Sequence, residues 1–114
     1  MHELSITQSI VEICAEKAAP RRVTLVVLEI GELSGVVPEA VEFAFEVCTQ
    51  GTLLEGARLD ILRIPAVGRC RGCGAEFSLR TFYDPCPRCE AYGAELVSGE
   101  ELRVRELEVD DGAE

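Results

Sequence analysis

Cys70-Arg71-Gly72-Cys73 and Cys86-Pro87-Arg88-Cys89 are two Cys-x-x-Cys knuckles with 12 residues between them, and their reading decides the fold of the chain. Each knuckle brings two thiolates to one ion, and a matched pair completes the tetrahedral four-sulfur shell of a structural Zn(II) site. Gly72 and Gly74 suit the tight turn of the first knuckle, and Asp84-Pro85 steers the chain into the second. Such a shell leaves no coordination position open, so catalysis at this metal is not expected. A single iron in a rubredoxin-like carrier would use the same four sulfurs. A redox dithiol would need only one of the two knuckles.

The interval that carries the knuckles, 68–96, differs from its surroundings. Its large apolar residues are Phe77, Leu79, Phe82, Tyr83, Tyr92 and Leu96. Roughly 30 residues with so few cannot fold on hydrophobic burial alone. Zinc binding, worth ~10–16 kcal/mol in zinc-finger peptides, would supply the missing folding energy. The segments on either side read as strands of one sheet, which makes 68–96 an inserted module.

Working outward, Ala57 to Pro65 and Glu101 to Val109 read as strands, and Arg22 to Gly31, rich in Val, Leu and Ile, as a buried one. Residues 3 to 19 read as a helix closed by Pro20. Its polar stripe is Ser5, Gln8, Glu12 and Glu16, and its apolar face Ile6, Ile10, Val11, Ile13, Cys14 and Ala18. Ser5-Ile6-Thr7-Gln8 fits a capping box, which places the regular helix slightly after Glu3. Pro38 suits the first position of a second helix that runs to about Gln50. That helix carries Glu39, Glu42 and Glu46 on one face and Val41, Ala44, Phe45 and Cys48 on the other, with Gly51 as its stop. The expected fold is therefore α+β: two helices packed on a small three-stranded sheet, with an inserted zinc-ribbon module. Residues 1–67 and 97–110 form one discontinuous domain, 68–96 the zinc-binding domain and 111–114 a loose acidic tail.

Composition narrows the function. The chain has 114 residues, six cysteines and a formal charge of −10. No apolar run reaches the ~18 residues of a membrane span, and the start lacks the charge pattern of a secretory signal. The expectation is a cytoplasmic protein with no membrane partner, whose cysteines are metal ligands or buried thiols and not disulfides. Cys14 and Cys48 read as small buried hydrophobes in preference to a redox pair or a second soft-metal site. The acidic field repels phosphate backbones and favours cationic partners or metal ions, so nucleic acid is not an expected partner. A homodimer is left open.

His2 is the only histidine in the chain, flanked by Met1 and Glu3. The α-amine of Met1, the His2 amide nitrogen and the His2 imidazole can close adjoining chelate rings on one ion. Nitrogen donation of that geometry suits Ni(II) or Cu(II), not Zn(II) or Mg(II). Glu3 is ambiguous, because either its carboxylate fills the fourth position or its amide competes with the imidazole. A helix beginning here leaves the amides of its first turn without intrahelical acceptors.

Together these residues carry a resemblance to a known family. The start Met1-His2-Glu3-Leu4-Ser5, the Ile30-Gly31-Glu32-Leu33-Ser34 turn and the Phe43-Ala44-Phe45 helix are similar to the HypA/HybF nickel metallochaperones of [NiFe]-hydrogenase maturation. Gly51-Thr52, Glu55-Gly56-Ala57 and the paired knuckles fall at matching places. The resemblance implies Ni(II) as transient cargo at Met1, His2 and Glu3, and structural Zn(II) on Cys70, Cys73, Cys86 and Cys89. It also implies delivery in concert with a HypB-type nickel GTPase to a hydrogenase large-subunit precursor, with no chemical step on a substrate. Two other readings use the knuckles alone: a zinc-ribbon adaptor in transcription or translation, and a rubredoxin-like electron carrier. Neither accounts for the Met1-His2-Glu3 start.

Overall fold

The computed structural model describes residues 2–110, His2 through its backbone alone; Met1 and the 111–114 tail lie outside the described residues. In chain order the elements are α1 (His2–Ala18), β1 (Arg22–Gly31), α2 (Pro38–Cys48), β2 (Arg58–Ile64), β3 (Val67–Arg69), β4 (Glu76–Ser78), β5 (Glu95–Ser98) and β6 (Leu102–Asp110). They form two three-stranded sheets, ordered β2-β1-β6 and β4-β3-β5. The fold class is the expected α+β one, and the first sheet uses the three strands read from the sequence. The second sheet was not legible, because its strands are only three or four residues long. No helix among the described residues is long and apolar enough to cross a membrane.

The chain divides into two compact units. One comprises Met1–Glu29, Val36–Leu62 and Arg103–Glu114, the other Ile30–Gly35 and Arg63–Leu102. The interval 68–96 lies inside the second unit, which also takes in the turn after β1.

That turn closes the base of the second unit. The Gly31 amide donates to Glu101 O at 2.7 Å, the Leu33 amide to Gly99 O at 2.7 Å and the Glu32 amide to Ile64 O at 3.0 Å. The Glu32 carboxylate accepts the Ala66 amide at 3.2 Å. The backbones here approach too closely for side chains. A Cβ on Gly31 would stand 2.1 Å from the Gly99 carbonyl oxygen, and one on Gly99, at φ +120°, 2.6 Å from Ala66 Cα. Only glycine fits either position.

In the first unit α1 and α2 pack on each other. The buried face of α1 is Thr7, Ile10, Val11, Cys14 and Ala18, a regular i, i+3, i+4, i+7 series. Ile13 falls off that series and is half exposed, which corrects its assignment to the apolar face. Thr7 replaces it, its hydroxyl donating to the Glu3 carbonyl one turn back. The capping-box reading also fails: α1 is already helical at His2, so Ser5 lies inside the helix and not before its start. Cys14 is buried and Cys48 half buried, both as free thiols, the packing role expected of them. In α2, Val41, Ala44 and Phe45 are buried while Pro38 occupies the first turn. Its N-cap Val37 has no capping side chain of its own. The Glu3 carboxylate of α1 accepts the amide of Val37 itself at 3.2 Å, so one of the unpaired donors at this helix end is satisfied from outside the helix.

β1 is the central strand, and Val23, Val26, Val27 and Leu28 are buried along it. Glu29 is the exception to this apolar run. It is a buried carboxylate, tied by one oxygen to Arg103 Nε and by the other to Arg105 Nη1 at 3.0 Å. A buried charge is tolerated only when its acceptor sites are filled, and the two arginines fill them from the exposed face of β6. The hydrogen bond from Arg103 holds the Glu29 carboxyl below its ordinary value of 4.5, with burial opposing and the Arg105 contacts assisting.

Because that folded value is depressed, the Glu29 contribution is fully present above about pH 4.5 and is lost as pH falls through the folded value. Glu29→Gln should therefore lower stability near neutral pH, and the gap to the parent chain should shrink on acidification. Urea melts of both chains across that range measure the difference; a gap that stays constant with pH would contradict the ionic account.

Candidate metal centre

The two knuckles of the second unit repeat one local structure with a 16-residue offset. Each first cysteine donates its amide across the turn, Cys70 to Ala75 O at 2.8 Å and Cys86 to Ala91 O at 2.9 Å. Each turn closes back on that cysteine, through the Gly74 amide to Cys70 O and the Glu90 amide to Cys86 O. Each first sulfur then accepts two amides: Gly72 and Cys73 point at Cys70 Sγ, Arg88 and Cys89 at Cys86 Sγ, all between 3.3 and 3.5 Å. Converging N–H groups of this kind stabilise a thiolate.

The sheet sets where the knuckles meet. β3 pairs antiparallel with β4, Arg69 opposite Glu76, so the first knuckle is the turn of this hairpin. An exposed ion pair of 2.7 Å joins those two side chains. β5 pairs with the other edge of β3, Arg69 opposite Glu95, which returns the chain beside the hairpin after the second knuckle. Between them Asp84 accepts the Arg80 amide at 2.7 Å and the Thr81 hydroxyl at 2.9 Å, fixing the turn that leads into Pro85 and Cys86. Those contacts hold the Asp84 carboxyl below its usual range, the Arg80 amide first among them.

The four expected zinc ligands therefore converge. The sulfurs of Cys70, Cys73, Cys86 and Cys89 all lie within 4.8 Å of one another, and no disulfide joins them. Cys70 and Cys89 sulfurs are 3.4 Å apart, Cys73 and Cys86 3.7 Å. A tetrahedral shell with Zn–S bonds of ~2.3 Å requires S···S edges of ~3.8 Å, so the cage has the size of a Zn(II) ion. Its acidities agree. The Cys73 amide, the Cys89 thiol and the Gly72 amide bring Cys70 down to about 6, and the Cys89 amide leads the lowering of Cys86. For Cys89 the Ala91 amide acts downward, but the thiols of Cys70, Cys73 and Cys86 together with burial outweigh it and push Cys89 up to about 12. Protein groups alone cannot hold four charges here; a divalent cation can. Cys70 and Cys86 are buried while Cys73 and Cys89 are exposed, so the shell is closed by sulfur and yet lies at the surface of its unit.

One detail corrects the sequence reading. Gly74 has φ +78° and sits in the left-handed region, but Gly72 does not, and a Cβ there would meet Cys70 Sγ at an ordinary 3.7 Å. Its counterpart Arg88 indeed carries a side chain. The second knuckle places Glu90 where the first has Gly74, at φ 64°, the one positive φ of a non-glycine residue among those described.

Of the expected nickel ligands, Met1 and the His2 side chain lie outside the described residues. The His2 backbone is the first residue of α1, and Glu3 is half buried with its carboxylate on the Val37 amide. Neither Glu29 with its two arginines nor the Glu3 contact with Val37 was read from the sequence. A lone glutamate within a run of β-branched residues was the available signal for the first.

Fold and centre together define a class: small α+β proteins with a helix-led unit and a four-cysteine cluster that fits a zinc ribbon. The chain belongs to the HypA family, described as hydrogenase/urease nickel incorporation, metallochaperone, whose model matches residues 1–109. It is 66% identical over 110 residues to the hydrogenase maturation factor HypA of Geobacter sulfurreducens, and 64% identical over 110 residues to that of Geotalea uraniireducens. Each alignment covers 96% of this chain and all of the relative. The solution structure of the nickel metallochaperone HypA from Helicobacter pylori superposes with a TM-score of 0.65 at 27% identity, covering 94% of this chain and 96% of that one. A second HypA solution structure gives 0.66 at 28% identity, over 96% and 97% of the two chains.

The knuckle repeat makes a paired prediction. Glu90→Gly should stabilise the metal-bound unit by up to about 1 kcal/mol, because left-handed backbone costs a side-chain-bearing residue about 1–2 kcal/mol and glycine little. Gly74→Ala should destabilise by a similar amount, with nothing within 4 Å of the new methyl to blame. Zinc release to a competing chelator, followed for both variants, should slow in the first and quicken in the second.

Proposed function

We propose that this chain is a nickel carrier in hydrogenase maturation that holds its cargo at the chain start and keeps zinc as a structural ion. The observation that carries the reading is the family match over residues 1–109, the Met1-His2-Glu3 start included. In this reading nickel is cargo, bound and passed on without a chemical step, so the protein is not an enzyme. It works in the cytoplasm. Its partners are a HypB-type nickel GTPase and the hydrogenase large-subunit precursor. The domains divide the labour, 68–96 holding zinc and 1–67 with 97–110 presenting nickel.

Met1 gives the amine, and His2 the amide nitrogen and the imidazole. The position of His2 at the head of α1 favours this use of its amide. First-turn amides have no intrahelical acceptor, so losing that proton to a metal breaks no helical hydrogen bond. Glu3 either fills the fourth position through its carboxylate or, through its amide, takes the place of the imidazole. The two choices differ in consequence: taking the carboxylate would release the tie to Val37 at the start of α2, and taking the amide would keep it. The closed sulfur shell leaves zinc no vacancy for cargo, and its four soft ligands differ in kind from the nitrogen set that square-planar Ni(II) prefers.

A Gly-Ser extension before Met1 tests the site without altering any side chain. It converts the α-amine into an amide and removes one chelate ring. Nickel calorimetry on the native and extended chains at equal zinc content should show a large loss of affinity in the extended chain. The native site should also weaken below ~pH 7 as imidazole and amine take protons. Equal affinities would remove Met1 from the ligand set.

A further inference from the structure

The first unit exposes an apolar strip that its own core does not use. Phe45 of α2 is buried at 4% exposure while its near neighbour Phe43 stands 73% exposed, with Val47 at 53% and Leu4 of α1 at 38%. Ala40, Phe43 and Val47 follow i, i+3, i+7 spacing, so they line one stripe of α2. With Leu4, Ala44 and Glu3 they enclose an open groove of about 340 Å³ between the start of α1 and the outer side of α2. Single exposed apolar side chains are ordinary, but a contiguous strip rimmed by charge marks a binding surface.

Among the described residues the rim has one sign. Glu39 and Glu46 stand on α2 four residues before and three after Phe43, both exposed, and Glu3 lines the α1 side. α2 contains no Lys or Arg, and the first in α1 is Lys17, at its far end. The field over the groove is therefore acidic, within a chain whose formal charge is −10. A second copy of this chain would bring the same acidic rim against it, at a cost in repulsion. A basic helix matches it: apolar anchors reach Phe43 and Val47, while Lys and Arg lay their alkyl stems on the strip and their heads on the glutamates.

We propose that this groove docks a short basic amphipathic helix of a partner protein, in the manner of a third helix laid between α1 and α2. The proposal stands on surface chemistry alone and does not need nickel, so it can fail or hold independently of the reading of the chain start.

The test uses the full chain, zinc-loaded and free of nickel. The probe is a labelled helical peptide with leucines at i, i+3 and i+7 flanked by lysines, and its twin has glutamates in place of the lysines. Fluorescence anisotropy should show the basic peptide binding and the acidic twin not, with binding weakened by salt. Phe43→Ser should weaken it by about tenfold or more, as loss of a central aromatic anchor does. Its exposed position leaves the fold intact, which zinc content and circular dichroism check. Glu46→Lys should weaken the basic peptide as well, and amide shifts should cluster at Leu4, Ala40, Phe43 and Val47. Absence of binding, equal binding of the twins, or an affinity untouched by Phe43→Ser would overturn the proposal. A concentration-dependent dimer of the parent chain that Phe43→Ser disperses would also overturn it, by giving the groove to a second copy.

Discussion

Four sulfurs held within 4.8 Å of one another cannot all carry charge unless a cation sits among them. The second unit depends on that constraint. Its strands are three or four residues long, and Cys70, Leu79, Cys86 and Ala66 make up much of its buried apolar set. Two of those four belong to the four-sulfur cluster itself. Hydrogen bonds from Gly72, Cys73, Arg88 and Cys89 orient the sulfurs, but orientation does not neutralise them. A bound zinc would supply both the neutralising and the cross-linking, and so substitute for the core this unit lacks.

The first unit is built the other way, on burial. Val26, Leu28, Val41 and Leu54 are essentially inaccessible, and its polar exceptions are each answered locally, Thr7 by the Glu3 carbonyl, Thr49 by the Glu46 carbonyl and Glu29 by two arginines. Glu3 links the heads of both helices through Val37. In the proposed function this places the cargo site at the edge of a packed scaffold, where a partner can reach the ligands without opening the core. It also separates the metals by chemistry: sulfur, closed and structural, for zinc; nitrogen, terminal and exchangeable, for nickel.

Much of this was legible in the residues. Val, Leu and Ile crowded into Arg22–Gly31 fixed β1 to the residue, and Pro38 fixed the start of α2, because each is a strong local preference. The knuckle spacing named the four cysteines whose sulfurs converge, since Cys-x-x-Cys leaves the chain few other things to do. What escaped were features decided by tertiary contact. Thr7 displaced Ile13 from the α1 core because face geometry outranks hydrophobicity at one position. The capping box failed since α1 starts at His2, three residues before the serine it needed. Gly31 and Gly99 meet at a close backbone crossing that no local pattern announces. The short strands β3, β4 and β5 have no pattern long enough to read, being defined by the knuckles they carry.

The proposed function makes one metal structural and closed and the other a cargo held elsewhere by different atoms. X-ray absorption at both metal edges, on one sample of untagged chain loaded with zinc and then nickel, tests it most directly. The account predicts four sulfurs at ~2.3 Å around zinc, unchanged by nickel, and a nickel edge with nitrogen and oxygen neighbours only. Sulfur in the nickel shell, or loss of sulfur from zinc on nickel loading, would contradict it.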